Sequence, residues 1–318
     1  MTGQYGARMA RPQSVLNPLT PAALFLVVTV AEGAEDDVRD LLGNVGALRR
    51  SVAFRTADGR MDAIVGIGSD CWDRVFGPSP KPAQLHPFVP LTGPTHSAPA
   101  TPGDLFVHIK ATSMDQCFEL GRHLLAKLGD AATVVDETHG FRYYEQRDLL
   151  GFVDGTENPE HEGAYAAAVV GDGDAAFAGG TYVTVQKYLH DLTAWEALSV
   201  EDQERAIGRT KLEDIELDDD VKPPNSHVAL NDLDDNPDGT PREIVRANMP
   251  FGTLGTGEFG TYFVGYAADL SVTEEMLRHM FLGNPPGTHD RILDFSTPTT
   301  GTVFFCPSLD FLDALDDG

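Results

Sequence analysis

The order of elements predicts an α+β fold of two ferredoxin-like domains, each an antiparallel β-sheet flanked by helices, related by internal duplication. Two observations carry this. Residues 22–136 read strand, helix, strand, strand, helix, strand, which is the ferredoxin-like order. The unit GDLFVHIKATSMDQCFELGRHLL beginning at Gly103 is then echoed by GTYFVGYAADLSVTEEMLRHMFL beginning at Gly260. Each is a glycine, an alternating strand, a polar turn and a helix with a basic and apolar end.

Ala22 to Val30 (AALFLVVTV) is β-branched and bounded by Pro21 and Gly33, which suits a buried strand. Ala34 to Arg50 carries Val38, Leu41, Leu42, Val45 and Leu48 at helical spacing, with Arg49 and Arg50 as charges at its C-terminal end. Ala63 to Ile67 predicts a second strand, and the proline-rich run from Phe76 to Pro102 an irregular loop. The first half is completed by a strand at Asp104 to Lys110, a helix at Met114 to Leu128 with Cys117, Leu120, Leu124 and Leu125 on one face, and a strand at Ala132 to Asp136.

In the second half, strands are predicted at Tyr182 to His190, Thr261 to Ala267 and Thr302 to Phe305, and helices at Leu192 to Ile207 and Thr273 to Leu282. Lys211 to Gly260 shows no clear periodicity, and a loop of that size inside a compact domain is usually functional. The chain accordingly divides into a leader segment at 1–20, an N-terminal domain at 21–147 and a C-terminal domain at 148–318.

Composition narrows the partners. Against 23 Lys and Arg stand 49 Asp and Glu, a formal net charge of -26 that repels polyanions and argues against nucleic acid or an anionic membrane. The charge reads as a solvated acidic surface and locates no site. Cys71, Cys117 and Cys306 form no CxxC pair, so neither a disulfide framework nor a zinc ribbon is signalled. Met1 to Thr20 is polar, carries Arg8 and Arg11 and has no apolar h-region, so an uncleaved cytoplasmic protein is expected.

Three short segments hold residues that turn chemistry and core packing leave unexplained. Gly151 to Pro159 reads GFVDGTENP; Gly155, Asn158 and Pro159 are ordinary turn residues, but Asp154 directly follows the apolar pair Phe152 and Val153. A carboxylate there is partly desolvated and needs a partner or a job. Glu243 to Gly252 (EIVRANMPFG) sets Arg246 between Val245 and Ala247, where a guanidinium must find a carboxylate, a phosphate or a cofactor group. Lys222 to Leu230 (KPPNSHVAL) places His227 after a rigid Pro-Pro turn, although a lone histidine is more often surface or satisfied core than ligand.

Taken in order, GFVDGTENP, a histidine in a KPxxSH setting, an arginine in IVRxNMPFG and ILDFSTPxTG near the C-terminus resemble the dye-decolorizing peroxidases, most closely the bacterial type B branch. The likeness runs from about Thr20 over nearly the whole chain. It implies a haem peroxidase that reduces hydrogen peroxide and oxidises dyes, phenolic compounds or other small electron donors through a ferryl state. One haem b per chain is implied, held mainly by the C-terminal domain, and the absence of C-x-x-C-H means non-covalent attachment.

By the same resemblance His227 is the proximal iron ligand. A second acid should accept its other N–H, and both Asp290 and Asp294 in HDRILDF are candidates. Asp154 and Arg246 match the distal pair and Asn248 a distal polar neighbour, supplying a proton shuttle and a positive charge for cleavage of the O–O bond. Tyr143, Tyr144, Trp72 and Trp195 are possible electron relays, and Glu157 a possible manganese contact, though a solvated turn acid is the favoured reading of the last.

Other motifs fall away on context. GTGEFG at Gly255 to Gly260 satisfies GxGxxG but precedes a strand and offers no helix N-terminus to a phosphate. DDNPDG at Asp234 to Gly239 imitates half of an EF-hand loop, yet Val245 stands where the bidentate glutamate is required. The rival functional class is a haem-binding or iron-releasing protein with incidental peroxidase activity, which needs neither Asp154 nor Arg246. Family likeness also implies a homo-oligomer, dimer or hexamer. Because the sequence stops at FLDALDDG soon after its last strand, packaging through a tail peptide is not expected.

Overall fold

Alternation along the central strands decides the architecture. In β1 (Ala22–Val30), Ala23, Phe25 and Val27 enter one apolar cluster while Leu24, Leu26 and Val28 enter another, as period-two side chains do when both faces of a strand are covered. The structure, a computed structural model, describes residues 10–55 and 60–316; Arg8 and the rest of the expected leader up to residue 9 lie outside the described residues.

After β1 come α1 (Glu35–Ala53), β2 (Met61–Gly68), α2 (Ser69–Phe76), a small hairpin of β3 (Leu91–Thr92) and β4 (Ser97–Ala98), β5 (Leu105–Ala111), α3 (Met114–Leu128) and β6 (Ala132–Phe141). The second half runs α4 (His161–Ala168), β7 (Thr181–His190), α5 (Leu192–Glu196), α6 (Val200–Ile207), α7 (His227–Asn231), β8 (Val245–Arg246), β9 (Met249–Thr253), β10 (Glu258–Ala267), α8 (Leu270–Leu282), β11 (Ser296–Pro298), β12 (Thr302–Cys306) and α9 (Leu309–Asp316).

The first half orders its strands β6-β1-β5-β2 and the second β12-β7-β10-β8, so each repeats the same ferredoxin-like arrangement. A short antiparallel pairing of Phe304 and Phe305 with Gly68 and Ile67 joins the two into one sheet. The sheet curls, so that β6 at its far edge returns against β9. There Lys187 Nζ lies 3.4 Å from Asp136, and a Cβ on Gly140 would stand 2.9 Å from Met249 Cβ. The inner cluster of Phe25, Phe106, Tyr262, Tyr266 and Phe304 fills the curl, while α1 and α3 cover the outer face of the first half.

Where the elements differ from expectation, a local cause is visible. The helix predicted over Leu192 to Ile207 is two helices, because the Ser199 hydroxyl accepts the Asp202 N–H at 3.1 Å and caps a new start. Lys211 to Gly260 is no featureless loop, since it holds α7 and the interrupted strand β8–β9. Between the two pieces the Asn248 side-chain carbonyl accepts the Val264 N–H at 3.0 Å, standing in for a missing strand partner. The GTGEFG run forms the last part of the β9–β10 turn and the first residues of β10.

Residues 10–20 are bonded into the molecule. The Gln13 carboxamide donates to the Val65 and Pro307 carbonyls at 2.9 Å and accepts the Val65 N–H at 2.8 Å, and buried Lys110 donates to the Ser14 and Asn17 carbonyls. Among the described residues no helix is long and apolar enough to cross a membrane.

Candidate active site

The KPPNSH segment folds as a turn that launches a short helix. The Ser226 N–H donates to the Pro223 carbonyl at 3.0 Å, and the buried Ser226 hydroxyl accepts the Ala229 N–H at 3.3 Å, which makes His227 the first residue of α7. The Arg291 N–H bonds the Asn225 carbonyl at 3.1 Å and so draws the HDRILDF loop alongside. His227 Nδ1 then lies 2.7 Å from Oδ2 of fully buried Asp290, whose Oδ1 accepts the Ile292 N–H at 2.9 Å. An Nδ1–H donated to a carboxylate leaves Nε2 as the ring nitrogen able to bind a metal. Asp294, the other candidate, is bonded to His96, His289 and Arg291 instead.

Arg246, Asn248 and Asp154 converge from different elements. Asp154 sits in the loop before α4, followed by Gly155 at φ +86, a backbone conformation that glycine adopts at little cost. The Asn248 amide donates to Asp154 Oδ1 at 3.1 Å. Burial raises the Asp154 carboxyl above its ordinary value, while Asn248, Arg246 and His227 pull it back in part. Burial likewise lowers Arg246, opposed by the charges of Asp154, Glu157 and Glu243, but a guanidinium remains cationic under working conditions.

All four residues, with Asp290 behind His227, surround one cavity on the outer face of the β7–β10 sheet, beneath α7 and α8. Its volume is about 150 Å³, and it continues into an outer hollow of about 270 Å³ that shares the walls Val153, Ile207, Ile244 and Met276. Apolar side chains such as Phe263, Leu277 and Met280 line the inner part, and charged ones such as Arg242 and Glu243 the outer. A flat apolar macrocycle with charged edge groups and one imidazole ligand fits this donor set: an apolar slot, a free Nε2 and a polar mouth.

Several residues in or behind this wall were not legible in the sequence. Asn158, readable as a turn residue, clamps Arg246 by its backbone. His190 reaches the cavity but both nitrogens are engaged, Nδ1 with Ser296 at 2.8 Å and Nε2 with Thr261 at 3.0 Å; burial holds it down at about 4, hence neutral. Asp148 is pushed up to about 7, by burial first and then by the charge of Asp154. Asp148 lacks the signal that exposed Asp154, an acid directly behind an apolar pair, because polar Gln146 and Arg147 precede it.

The proposed relays separate by position. Trp72 is buried in the outer core with Phe76, Phe177, Phe305 and Phe311, away from the cavity. Trp195 is also buried but packs 6.1 Å from Phe152, a cavity residue. Tyr144 is exposed and meets Tyr143 edge-on at 4.5 Å. Glu157 is ion-paired with Arg209, as a turn acid would be.

The chain matches the Dyp-type peroxidase N-terminal family over residues 12–142 and the Dyp-type peroxidase C-terminal family over residues 145–311. It is 60% identical to a dye-decolorizing peroxidase of Mycobacterium tuberculosis over 302 residues, 95% of this chain and 90% of the relative. A variant of Rhodococcus jostii RHA1 DypB in complex with haem superposes with a TM-score of 0.92 at 57% identity, covering 96% of this chain and 99% of that one. The encapsulated DyP-type peroxidase from Mycobacterium smegmatis does so at 0.93 and 59%, covering 96% and 98%.

This last relative corrects the expectation against packaging. That expectation used only the end of the sequence, whereas a protein so similar along its folded length is found encapsulated. The chain belongs to the dye-decolorizing peroxidase family and is a haem-dependent peroxidase.

Proposed function

We propose that His227 holds the haem iron through Nε2 on one side, with Asp290 on its Nδ1, and that Asp154, Arg246 and Asn248 handle hydrogen peroxide on the other. The observation that supports this most directly is the 2.7 Å His227–Asp290 pair in the wall of the cavity that Asp154 and Arg246 also line. Bound haem supplies the redox chemistry by which peroxide is reduced and small donors such as dyes and phenols are oxidised.

The protein's part is to move protons and place charge. Asp154 would take a proton from one peroxide oxygen and return it to the other, so that the latter can leave as water. Asn248, bonded to Asp154 at 3.1 Å, fixes the carboxyl's orientation. Arg246 places positive charge where the departing oxygen develops negative charge, from a position desolvated by burial. Asp290 holds His227 in one tautomer and makes it a stronger donor to iron.

The same reading carries the domain boundaries 21–147 and 148–318, a homo-oligomeric state, encapsulation and a cytoplasmic location. The repeated strand order supports the first, family likeness the second and the encapsulated relative the third. Three free, buried cysteines suit a reducing compartment. The deciding experiment is an absorption spectrum of purified protein before and after one equivalent of peroxide. A Soret band that shifts with peroxide, and that His227→Ala weakens, is the expected result; a Soret band of equal intensity in His227→Ala would sink the ligand assignment.

A further inference from the structure

Away from the cavity, one group of side chains has the makings of a metal site and no part in peroxide chemistry. His96 Nε2 lies 3.1 Å and His289 Nε2 2.8 Å from the same atom, Oδ1 of Asp294. The three ligand atoms all fall within 4.8 Å of one another, and the two rings meet nearly edge to face with centroids 4.6 Å apart. Two imidazole nitrogens and a carboxylate oxygen are the donor set that zinc-class divalent ions take, at roughly 2.0–2.2 Å each. Donors sharing such an ion stand about 3–4 Å apart, so only a small opening of the present contacts would admit one.

The carboxylate is prepared for this. Its other oxygen, Oδ2, accepts from Arg291 Nε at 3.2 Å, which fixes the plane of the group and leaves Oδ1 toward the imidazoles. The side chains are 21%, 23% and 35% exposed for His96, His289 and Asp294, enough for an ion to enter from solvent and keep water as a further ligand. The nearby Arg291 charge opposes a cation, but the chain's net charge of -26 favours one over the surface as a whole.

We propose that His96, His289 and Asp294 form a binding site for one divalent transition-metal ion of the zinc class, completed by water. His96 comes from the β3–β4 hairpin of the first half and the other two from the loop after α8, so the ion ties the halves together. The site is independent of the haem assignment, and its failure leaves that assignment untouched.

The test uses the haem-loaded protein, treated with a chelator and titrated with Co²⁺, then Zn²⁺, by calorimetry and visible absorption. One saturable Co²⁺ per chain, displaced by Zn²⁺ and accompanied by ligand-field bands, is the expected result. His96→Ala should weaken binding by at least about 10-fold with the Soret band unchanged. Asp294→Asn, nearly isosteric, should do the same and covers the case in which His96→Ala fails to fold. Absence of saturable binding, or equal affinity in both variants and the parent, overturns the proposal and leaves the three as a hydrogen-bonded surface triad.

Discussion

Asn158 grips Arg246 with both ends of its carboxamide: Nδ2 donates to the Arg246 carbonyl and Oδ1 accepts the Arg246 N–H, each at 2.8 Å. The pair mimics one rung of a β-ladder between the GFVDGTENP loop and β8, so the loop bearing Asp154 and the strand bearing Arg246 are set against each other at a fixed distance. Asn158→Ala removes both bonds without touching the haem slot. The expected outcome is a retained Soret band and a rate with peroxide reduced on the order of 10- to 100-fold, as misplacement by about an ångström can do. Stopped-flow absorption measures it, and an unchanged rate would show that Arg246 needs no clamp.

Arg246 and Asp154 should contribute unequally. A guanidinium is cationic at every working pH, whereas the Asp154 carboxyl is raised by burial and its proton traffic can pass through water. Arg246→Leu is expected to slow reaction with peroxide by roughly 100-fold or more. Asp154→Asn should cost less, about 10-fold, at the low edge of general acid–base effects. Wild-type kinetics in Arg246→Leu would reverse this order.

Removing the partner of His227 should be felt first in cofactor retention. Asp290 is fully buried and bonds both His227 and the start of its own turn. Asp290→Asn keeps the shape but loses the carboxylate acceptor, and haem affinity should fall by about 10- to 100-fold. Haem transfer to apomyoglobin reports the loss. Asp294→Asn serves as the control, with transfer at the parent's rate.

Asp148 makes stability depend on pH. Its carboxyl is pushed up to about 7 in the folded protein, by burial and then by Asp154, against a usual value near 4 when unfolded. The native state therefore holds this proton more tightly than the unfolded chain. Its contribution favours folding at low pH and is lost as pH rises through about 7. Asp148→Asn should raise Tm relative to the parent at pH 8, by an amount equivalent to a few kcal/mol at most, and the gap should narrow as pH falls below about 7 and close only near about pH 4. A gap that is constant with pH would refute the assignment.

How much of this could be read from the residues depended on whether a signal was local. β1 and α3 begin and end where the sequence predicts, because nine β-branched or apolar residues and an uninterrupted helical stripe admit no competitor. The strand β8–β9 escaped, since it is broken at Asn248 and carries Arg246 and Pro250, so its two short pieces never build a period. His227 had no local distinction, and only the motif resemblance singled it out. Asp290 and Asp294 stood four residues apart with equal claims until the Arg291–Asn225 backbone bond fixed which one meets the imidazole. His190 and Asp148 enter the cavity through tertiary packing alone, for which no neighbouring residue gives notice.

Among the described residues, every one lining the cavity lies at or beyond Asp148, and the amino-terminal half lends it no wall. That half still leans on the chemistry, because Gly140 of β6 leaves room for Met249, the immediate neighbour of Asn248. One copy of the repeated unit thus works as a buttress for the other. A single methyl group at position 140 of that buttress would press on Met249 and, through it, on Asn248, which donates to Asp154.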